Sequence, residues 1–212
     1  AEIAKRLKLE QELRKAIDSD QLVLHYQPQI DFKTGDLLGA EALVRWEHPL
    51  KGLVSPDDFI PLAEESGLIN QLTDWVLKNV AVQTKRWLDE GYSLRLAVNL
   101  SVKDLMQEDF HTKLEDLIKR SDLPPDVLEL EITESTLMDH PELMIKELNK
   151  IKKMGITVAV DDFGSGYSSL NYLKKLPVDV LKIDRSFISD IESDPNDSAI
   201  VATNFIHSRC RV

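Results

Sequence analysis

A strand–helix–strand pattern occupies residues 127–162, VLELEITESTLMDHPELMIKELNKIKKMGITVAVDD. Its two ends, 127–133 and 156–162, are short apolar runs with β-branched residues, which are typical of buried strands. Pro141 suits the first turn of the intervening helix, and Gly155 suits its end. Because parallel strands need a long crossover connection, this arrangement predicts two parallel strands with a helix packed on their sheet.

The same alternation continues on both sides of this segment. Further strands are predicted at residues 22–30, 37–46, 94–101 and 178–184. Helices are predicted at 57–90 with an interruption near Gly67, and at 109–120, 141–153, 168–175 and 197–207. The hairpin-length segment 31–36, DFKTGD, predicts that the first two strands are antiparallel. The sequence therefore predicts an α/β fold with a largely parallel sheet.

The N-terminal segment, residues 1–18, consists mainly of strong helix formers. Its apolar residues fall roughly on one face: Ile3, Leu7, Leu13 and Ile17. We expect a connector helix here, followed by one domain over residues 19–212. Acidic residues alternate with the basic ones, which favours a solvated helix face over a membrane-surface helix. Because the chain starts at Ala1 rather than Met, we expect a piece of a longer protein.

The composition is that of a globular domain with an acidic charge balance. The 212 residues include 26 Lys and Arg against 37 Asp and Glu, a formal net charge of -11. This balance argues against binding of a nucleic-acid polymer. Without a membrane-length apolar run or a signal-peptide pattern, the domain is expected in the cytoplasm, although the parent protein can carry a membrane anchor elsewhere. The single cysteine, Cys210, excludes an internal disulfide and a cysteine-based metal site.

Polar side chains stand at the C-terminal ends of successive predicted strands, above positions that are mostly small or apolar. They are Glu41, Asn99, Glu131, Asp161, Asp162 and Lys182. Since the strand ends of a parallel barrel converge on one mouth, we expect one oxygen-rich cluster there, with Lys182 at its edge. Carboxylates so close repel one another unless cations lie between them, and oxygen ligands suit Mg²⁺ or Mn²⁺. The adjacent aspartates favour a two-metal site that hydrolyses a phosphoester.

Each residue of this cluster also has a simpler interpretation. A lone carboxylate at a strand end is usually a helix cap or a solvated loop residue, and Asp161 and Asp162 precede a glycine-rich stretch that suits a turn. If their strand lies at the edge of the sheet, Glu129 and Glu131 face solvent. Lys182 can reach the surface through its long side chain or pair with Asp184. The functional interpretation is favoured because all the residues of the cluster lie at C-terminal strand ends.

The histidines, serines and tryptophans form no recognisable site. Metal-ligand spacing is absent among the histidines, which are interpreted as surface or core residues: His25, His48, His111, His140 and His207. A catalytic triad is not indicated for Ser101, Ser168 and Ser169. Packing against the barrel wall is expected for Trp46, Trp75 and Trp87.

Six motifs in order carry a resemblance to a known family. They are YQPQ at 26–29, EALVRW at 41–46, VNLS at 98–101, ELEITES at 129–135, DDFGSGYSSL at 161–170 and LKIDRSF at 181–187. In these motifs the sequence closely resembles the EAL domain family of cyclic di-GMP phosphodiesterases, whose name-giving triplet stands here as Glu41-Ala42-Leu43.

The resemblance implies a TIM-like (β/α)8 barrel with an antiparallel first strand, which hydrolyses cyclic di-GMP to linear pGpG with two Mg²⁺ or Mn²⁺ ions. It implies that one metal is bound by Glu41, Asn99, Glu131 and Asp161, and the second by Asp161 and Asp162. It further implies that Lys182 positions the attacking water or helps to deprotonate it. The substrate-binding set that it implies is Gln27, Leu43, Arg45 and Asp184.

The resemblance also implies partners. The segment 163–169 resembles a loop that couples metal binding to dimerisation, and Glu134 matches the glutamate that anchors it. A homodimer through this loop and its following helix is therefore expected. Members of the family commonly follow sensory or diguanylate-cyclase domains, so we expect such domains in the parent chain.

One departure from the family pattern concerns the C-terminus. The family continues with two further strands that complete the site, whereas this chain reaches IVATNFIHSRCRV and stops. We therefore expect a C-terminally incomplete domain that lacks the last two strands. A catalytically silent cyclic di-GMP receptor is the alternative function, and a structural or docking domain is a third.

Overall fold

The computed structural model describes residues 2–164 and 175–184 of the chain. Its helices are α1 Glu2–Ile17, α2 Pro56–Ser66, α3 Ile69–Asp89, α4 Val102–Leu105, α5 Phe110–Ser121, α6 Glu134–Asp139 and α7 Pro141–Lys153, with a 3₁₀ helix at Pro125–Val127. Its strands are β1 Leu22–Ile30, β2 Leu37–His48, β3 Gly52–Val54, β4 Arg95–Asn99, β5 Leu128–Thr133, β6 Thr157–Phe163 and β7 Val180–Ile183. The predicted helix 197–207, and all of 168–175 except Lys175, lie outside the described residues.

The strands form one sheet in the order β1-β2-β4-β5-β6-β7, and β3 pairs with β2. β1 and β2 are antiparallel, and each later neighbour in this order is parallel to the one before it. This confirms the predicted α/β fold, a TIM-like barrel with an antiparallel first strand. Within the described residues the sheet does not close, and β1 and β7 are its edges. None of the helices described has the length and apolar character needed to cross a bilayer.

The larger hydrophobic core lies between the sheet and helices α3, α5 and α7. Alternate residues of β5 supply one side of it, namely Leu128, Leu130 and Ile132. The apolar faces of the helices supply the other side, with Leu114 of α5 and Leu148 of α7 almost completely buried. Each such side chain contributes about 1.5–3 kcal/mol through burial. Because strand residues alternate, this packing also determines which residues point into the barrel.

The second half of α1 packs into a smaller core that contains Trp46 and Phe59. Leu13 has no exposed surface, whereas Ile3 and Leu7 are 77% and 55% exposed. The apolar stripe predicted for this helix is therefore buried only in its second half, where the sheet and α2 are close enough to cover it. The predicted domain boundary after residue 18 stays a prediction.

Four short elements are absent from the sequence-based predictions: β3, α4, α6 and the 3₁₀ helix. β3 has 3 residues, α4 has 4 and α6 has 6. Segments this short contain too few residues to display a hydrophobic period. The two α-helices are nevertheless marked in the sequence by capping residues, Ser101 before α4 and Thr133 before α6.

Gly39 of β2 stands directly opposite Arg95 of β4. A Cβ atom at this position would lie 2.2 Å from the carbonyl oxygen of Arg95, so a side chain does not fit without displacing the backbone. The register that begins at this pair places Glu41 opposite Ala97. The absence of a side chain at Gly39 thus permits the register that places Glu41 opposite Ala97.

Candidate metal centre

The inner face of the barrel carries alternate residues of each strand. In β5, Leu128, Leu130 and Ile132 pack towards the helices, so Glu129 and Glu131 project inward, and both are 0% exposed. β5 lies between β4 and β6 in the sheet. The interpretation of Glu129 and Glu131 as solvent-facing residues of an edge strand is therefore wrong.

Three carboxylates meet at the C-terminal mouth of the barrel. Glu41, Glu131 and Asp161 each offer an oxygen within 4.8 Å of the others. The Nζ atom of Lys182 lies 2.9 Å from Glu41 Oε2, 2.8 Å from Glu131 Oε2 and 3.3 Å from Asp161 Oδ1. The expectation that Lys182 lies at the edge of the cluster is corrected: its ammonium lies among the carboxylates, where it offsets their mutual repulsion.

Burial and charge have opposite effects on the ionisation of this cluster. Burial raises the pKa of Glu131 well above its ordinary value, and the Lys182 ammonium offsets this only in part. Burial by itself would lower the pKa of Lys182, but the charges of Glu131, Glu41 and Asp161 raise that pKa well above its ordinary range. Lys182 therefore stays protonated at neutral pH, and a single ammonium faces three carboxyl groups.

The polar atoms of the cluster fit a hard divalent cation. Glu131 Oε1 is buried and has no hydrogen-bond partner within the described part of the chain. A buried acceptor without a partner costs about 1–3 kcal/mol, which a ligand would recover. Asn99 donates from Nδ2 to Glu41 Oε1 over 2.8 Å, which leaves the amide oxygen of Asn99 as a further possible ligand. Carboxylate and amide oxygens are the donors that Mg²⁺ and Mn²⁺ prefer.

Asp162 lies beside the cluster in an unusual backbone conformation. Its φ is 54°, in the left-handed region, and the β6–β7 register shifts between Val160 and Phe163. Partial burial, followed by the charges of Asp161 and Asp184, raises the pKa of Asp162. The group of close carboxylates found among the described residues does not include Asp162. The structure thus brings Asp162 near the cluster but not into it.

Glu134, the predicted loop anchor, is almost completely buried at the start of α6. Its Oε2 accepts a hydrogen bond from the main-chain nitrogen of Gly164 over 2.6 Å, directly after β6. Its other oxygen is buried without a partner in the described ranges. Phe163 and Gly164 are the described residues of the predicted loop, and 165–169 lie outside them.

The residues predicted to bind substrate are arranged on β1, β2 and after β7. Gln27 is exposed and stands opposite Glu41. Leu43 and Arg45 follow Glu41 at alternate positions of β2 and are half-buried, and Arg45 Nη1 donates to a main-chain carbonyl of its own strand over 2.9 Å. Asp184 directly follows β7 and is also half-buried.

A buried polar network beside Asn99 is missing from the sequence-based predictions. Asp104 has no exposed surface, and its Oδ2 accepts hydrogen bonds from Thr73 Oγ1 (2.9 Å), Ser101 N (2.9 Å) and Ser101 Oγ (2.8 Å). Burial raises the pKa of Asp104, although these hydrogen bonds oppose the shift. Ser101 and Asp104 form the capping box that starts α4, just after Asn99. Their spacing is the sequence signal that would have revealed the network.

The similarity of this chain to known proteins extends over most of its length. The family profile of the EAL domain matches residues 10–207. The chain is 44% identical over 203 residues to the bifunctional diguanylate cyclase/cyclic di-GMP phosphodiesterase MucR of Pseudomonas aeruginosa, covering 95% of this chain and 30% of MucR. It is 42% identical over 193 residues to the cyclic di-GMP phosphodiesterase PdeR of Escherichia coli, covering 91% of this chain and 29% of PdeR. The chain thus spans less than a third of the length of these curated relatives.

A solved structure has the same fold. The PaMucR phosphodiesterase in its c-di-GMP complex matches with a TM-score of 0.89 at 42% identity, over 96% of this chain and 85% of that chain. The sequence motifs, the sheet topology and the match of the family profile to most of the chain agree. This chain belongs to the EAL domain family.

Proposed function

We propose that this chain hydrolyses cyclic di-GMP to linear pGpG, with two Mg²⁺ or Mn²⁺ ions as cofactors. The observation that carries the proposal is the convergence of Glu41, Glu131 and Asp161 around Lys182, with one oxygen of Glu131 unpartnered among the described residues. The names of MucR and PdeR as cyclic di-GMP phosphodiesterases support the choice of substrate.

The carboxylates supply the metal ligands in this proposal. Glu41, Asn99, Glu131 and Asp161 would hold one ion, and Asp161 and Asp162 would hold the second. When bound, such ions activate water at neutral pH and stabilise the charge that develops on the phosphate. The uncompensated negative charge of the cluster attracts cations and repels a dianionic substrate. We therefore expect substrate affinity to depend strongly on divalent cation.

Lys182 acts as a hydrogen-bond donor in this proposal. Its ammonium lies 2.8 Å from Glu131 Oε2 and 2.9 Å from Glu41 Oε2, and these carboxylates keep it protonated. A group so held can orient the water that attacks phosphorus, because its N–H bonds and the carboxylates fix where that water lies.

Substrate recognition falls to residues beside the cluster. The guanidinium of Arg45 suits a phosphate, and the amide of Gln27 suits a guanine edge. Leu43 contributes an apolar contact between them, and Asp184 would accept hydrogen bonds from the second guanine. Gln27 and Arg45 lie on paired strands, four residues apart along the register, so a ligand that contacts both would have to be extended.

A catalytically silent receptor for cyclic di-GMP is the second candidate. It is favoured by the three contacts of Lys182 with the carboxylates, which balance part of their charge without a metal. Such a receptor would bind the nucleotide with Gln27 and Arg45 but release no pGpG.

The parent protein is expected to contain further domains. This chain covers 30% of MucR, which is named as a bifunctional diguanylate cyclase and phosphodiesterase. We propose that the domain follows sensory or diguanylate-cyclase domains in a cytoplasmic location. We further propose a homodimer through the loop after Asp162 and its following helix.

The test is chromatography of cyclic di-GMP after incubation with the full-length protein and Mg²⁺ or Mn²⁺. We expect pGpG from the wild type, none from Glu41→Gln, and normal amounts from Glu115→Gln. Glu115 is an exposed glutamate that pairs with Lys119, so its variant controls for loss of one charge. Normal turnover by Glu41→Gln would contradict the proposal. Binding of cyclic di-GMP by the wild type without pGpG would favour the receptor.

A further inference from the structure

We propose that His25 is a further substrate-binding residue, which donates a hydrogen bond to a phosphate oxygen of the cyclic dinucleotide. This inference rests on the proposed function, because it names a residue that recognises the same substrate. The sequence by itself indicates no more than an ordinary surface or core histidine at position 25.

The packing of β1 determines the direction in which His25 points. Tyr26 lies on the outer face of the strand, with its ring centroid 5.2 Å from that of Trp87 on α3. Leu24 packs, like Tyr26, against the larger hydrophobic core between the sheet and the helices. Because alternate residues of a strand point to opposite faces, His25 and Gln27 point into the barrel.

The pairing of β1 with β2 places His25 in the row of residues that the proposed function uses. His25 stands opposite Leu43, and along the inner face this pair lies between two others, Gln27–Glu41 and Val23–Arg45. Residues directly opposite in such a pair have Cβ atoms about 4.5–5.5 Å apart, and diagonal neighbours are about 7–8 Å apart. A ligand that contacts both Gln27 and Arg45 therefore passes within reach of the His25 imidazole.

The imidazole of His25 is available for a ligand. His25 is exposed, and the structure gives it no hydrogen bond or ion pair within residues 2–164 and 175–184. Two other histidines are engaged: His48 Nε2 lies 3.2 Å from Glu12 Oε2, and His111 Nε2 lies 2.6 Å from Glu147 Oε2. Among these three, His25 alone keeps its ring nitrogens free of protein partners in the described part of the chain.

The position of His25 indicates which part of the nucleotide it contacts. Gln27, on one side, is proposed for a guanine edge, and Arg45, on the other, for a phosphate. A group between them faces the sugar–phosphate link. In either neutral tautomer an imidazole carries one N–H donor, and a hydrogen bond from it to a phosphate oxygen is strengthened by the ligand's charge.

The test measures the affinity of the full-length protein for cyclic di-GMP with Mg²⁺, as KM if the wild type turns the nucleotide over and as a calorimetric Kd if it does not. His25→Phe keeps a ring but removes the N–H, and we expect affinity to fall about tenfold. His25→Gln keeps a donor, and we expect it to recover most of this loss. His140→Phe makes the same change at an exposed histidine outside β1 and should bind like the wild type.

Each other outcome overturns the inference. Equal affinities of the wild type and His25→Phe would remove His25 from the substrate site and leave the proposed function intact. A loss in His25→Gln as large as in His25→Phe would show that the donor does not matter. A wild type that neither binds nor hydrolyses cyclic di-GMP would overturn the proposed function and, with it, the role of His25.

Discussion

Glu129 and Glu131 lie on the same face of β5 and are both 0% exposed, yet their surroundings differ. Glu129, nearer the N-terminal end of the barrel, pairs with Arg95, whose Nη1 lies 3.3 Å from Glu129 Oε2. Glu131, nearer the C-terminal mouth, shares the ammonium of Lys182 with two other carboxylates. Its Oε1 has no hydrogen-bond partner in the described part of the chain.

The difference separates a structural ion pair from a candidate ligand. A buried carboxylate with its own guanidinium is electrically balanced, so loss of either partner mainly affects folding. Where buried carboxylates outnumber the cationic groups beside them, their charge destabilises the folded state. A bound cation reduces this destabilisation. Burial alone therefore does not mark the site in this barrel; the local deficit of positive charge does.

The largest expected effect comes from exchanging each of these glutamates for glutamine. Glu131→Gln should lower kcat/KM by more than about 100-fold, because it removes a proposed metal ligand. Its free energy of unfolding without metal should be unchanged or higher, since burial disfavours the charge of Glu131. Glu129→Gln should retain turnover but lose about 1–3 kcal/mol of stability, because the Arg95 guanidinium loses the carboxylate that balances its charge. Steady-state kinetics and urea unfolding of both variants check these expectations. Loss of turnover in Glu129→Gln together with normal turnover in Glu131→Gln would contradict the distinction.

Lys182→Met should lower turnover by about 100-fold, as expected when a group that orients a reactant in the transition state is lost. Mn²⁺ should bind this variant at least as tightly as the wild type, because the ammonium no longer competes for Glu41 and Glu131. Lys119→Met removes an exposed lysine paired with Glu115 and serves as the control. A parallel loss of turnover and Mn²⁺ affinity in Lys182→Met would contradict this role.

Asp104 tests a buried carboxylate outside the cluster. Asp104→Leu should cost about 3 kcal/mol in the free energy of unfolding, because the donors of Thr73 and Ser101 lose their acceptor. Asp104→Asn keeps an acceptor in the same place and should stay within about 1 kcal/mol of the wild type at neutral pH. Urea unfolding distinguishes the two variants, and equal losses would show that a single neutral acceptor at this position does not replace the carboxylate.

The same residue gives a pH dependence of known sign. Burial raises the pKa of Asp104, so the folded protein retains a proton that the unfolded chain has already released. The wild type should therefore lose stability relative to Asp104→Asn as the pH rises from about 4 to 7. Urea midpoints of both proteins across this range measure the difference, and a difference that stays constant or shrinks would contradict the raised pKa.

The smallest expected effect concerns the packing of β2 against β4 at Gly39, opposite Arg95. Gly39→Ala should lower the free energy of unfolding by about 2 kcal/mol, because its Cβ would collide with the Arg95 carbonyl oxygen. Thermal unfolding checks this change. A variant as stable as the wild type would show that β2 and β4 can separate without loss.

The sequence predicted those features that depend on local periodicity. The alternation of side chains along each strand predicted that Glu41, Glu131 and Asp161 lie at corresponding strand ends. The helical segments between the strands predicted that the strands are parallel. The central position of Lys182 was not predictable, because it depends on how the strands are staggered around the barrel. The positive φ of Asp162 and the partial burial of α1 likewise arise from tertiary contacts, namely the irregular β6–β7 pairing and the core around Trp46.

The most direct test of the charge-deficit interpretation is Mn²⁺ binding to the full-length protein, measured from the electron paramagnetic resonance signal of the free ion. The wild type and Glu129→Gln should bind Mn²⁺ with the same affinity, and Glu131→Gln should bind it more than about tenfold more weakly. Equal Mn²⁺ affinities for all three proteins would contradict the assignment of Glu131 to the metal centre.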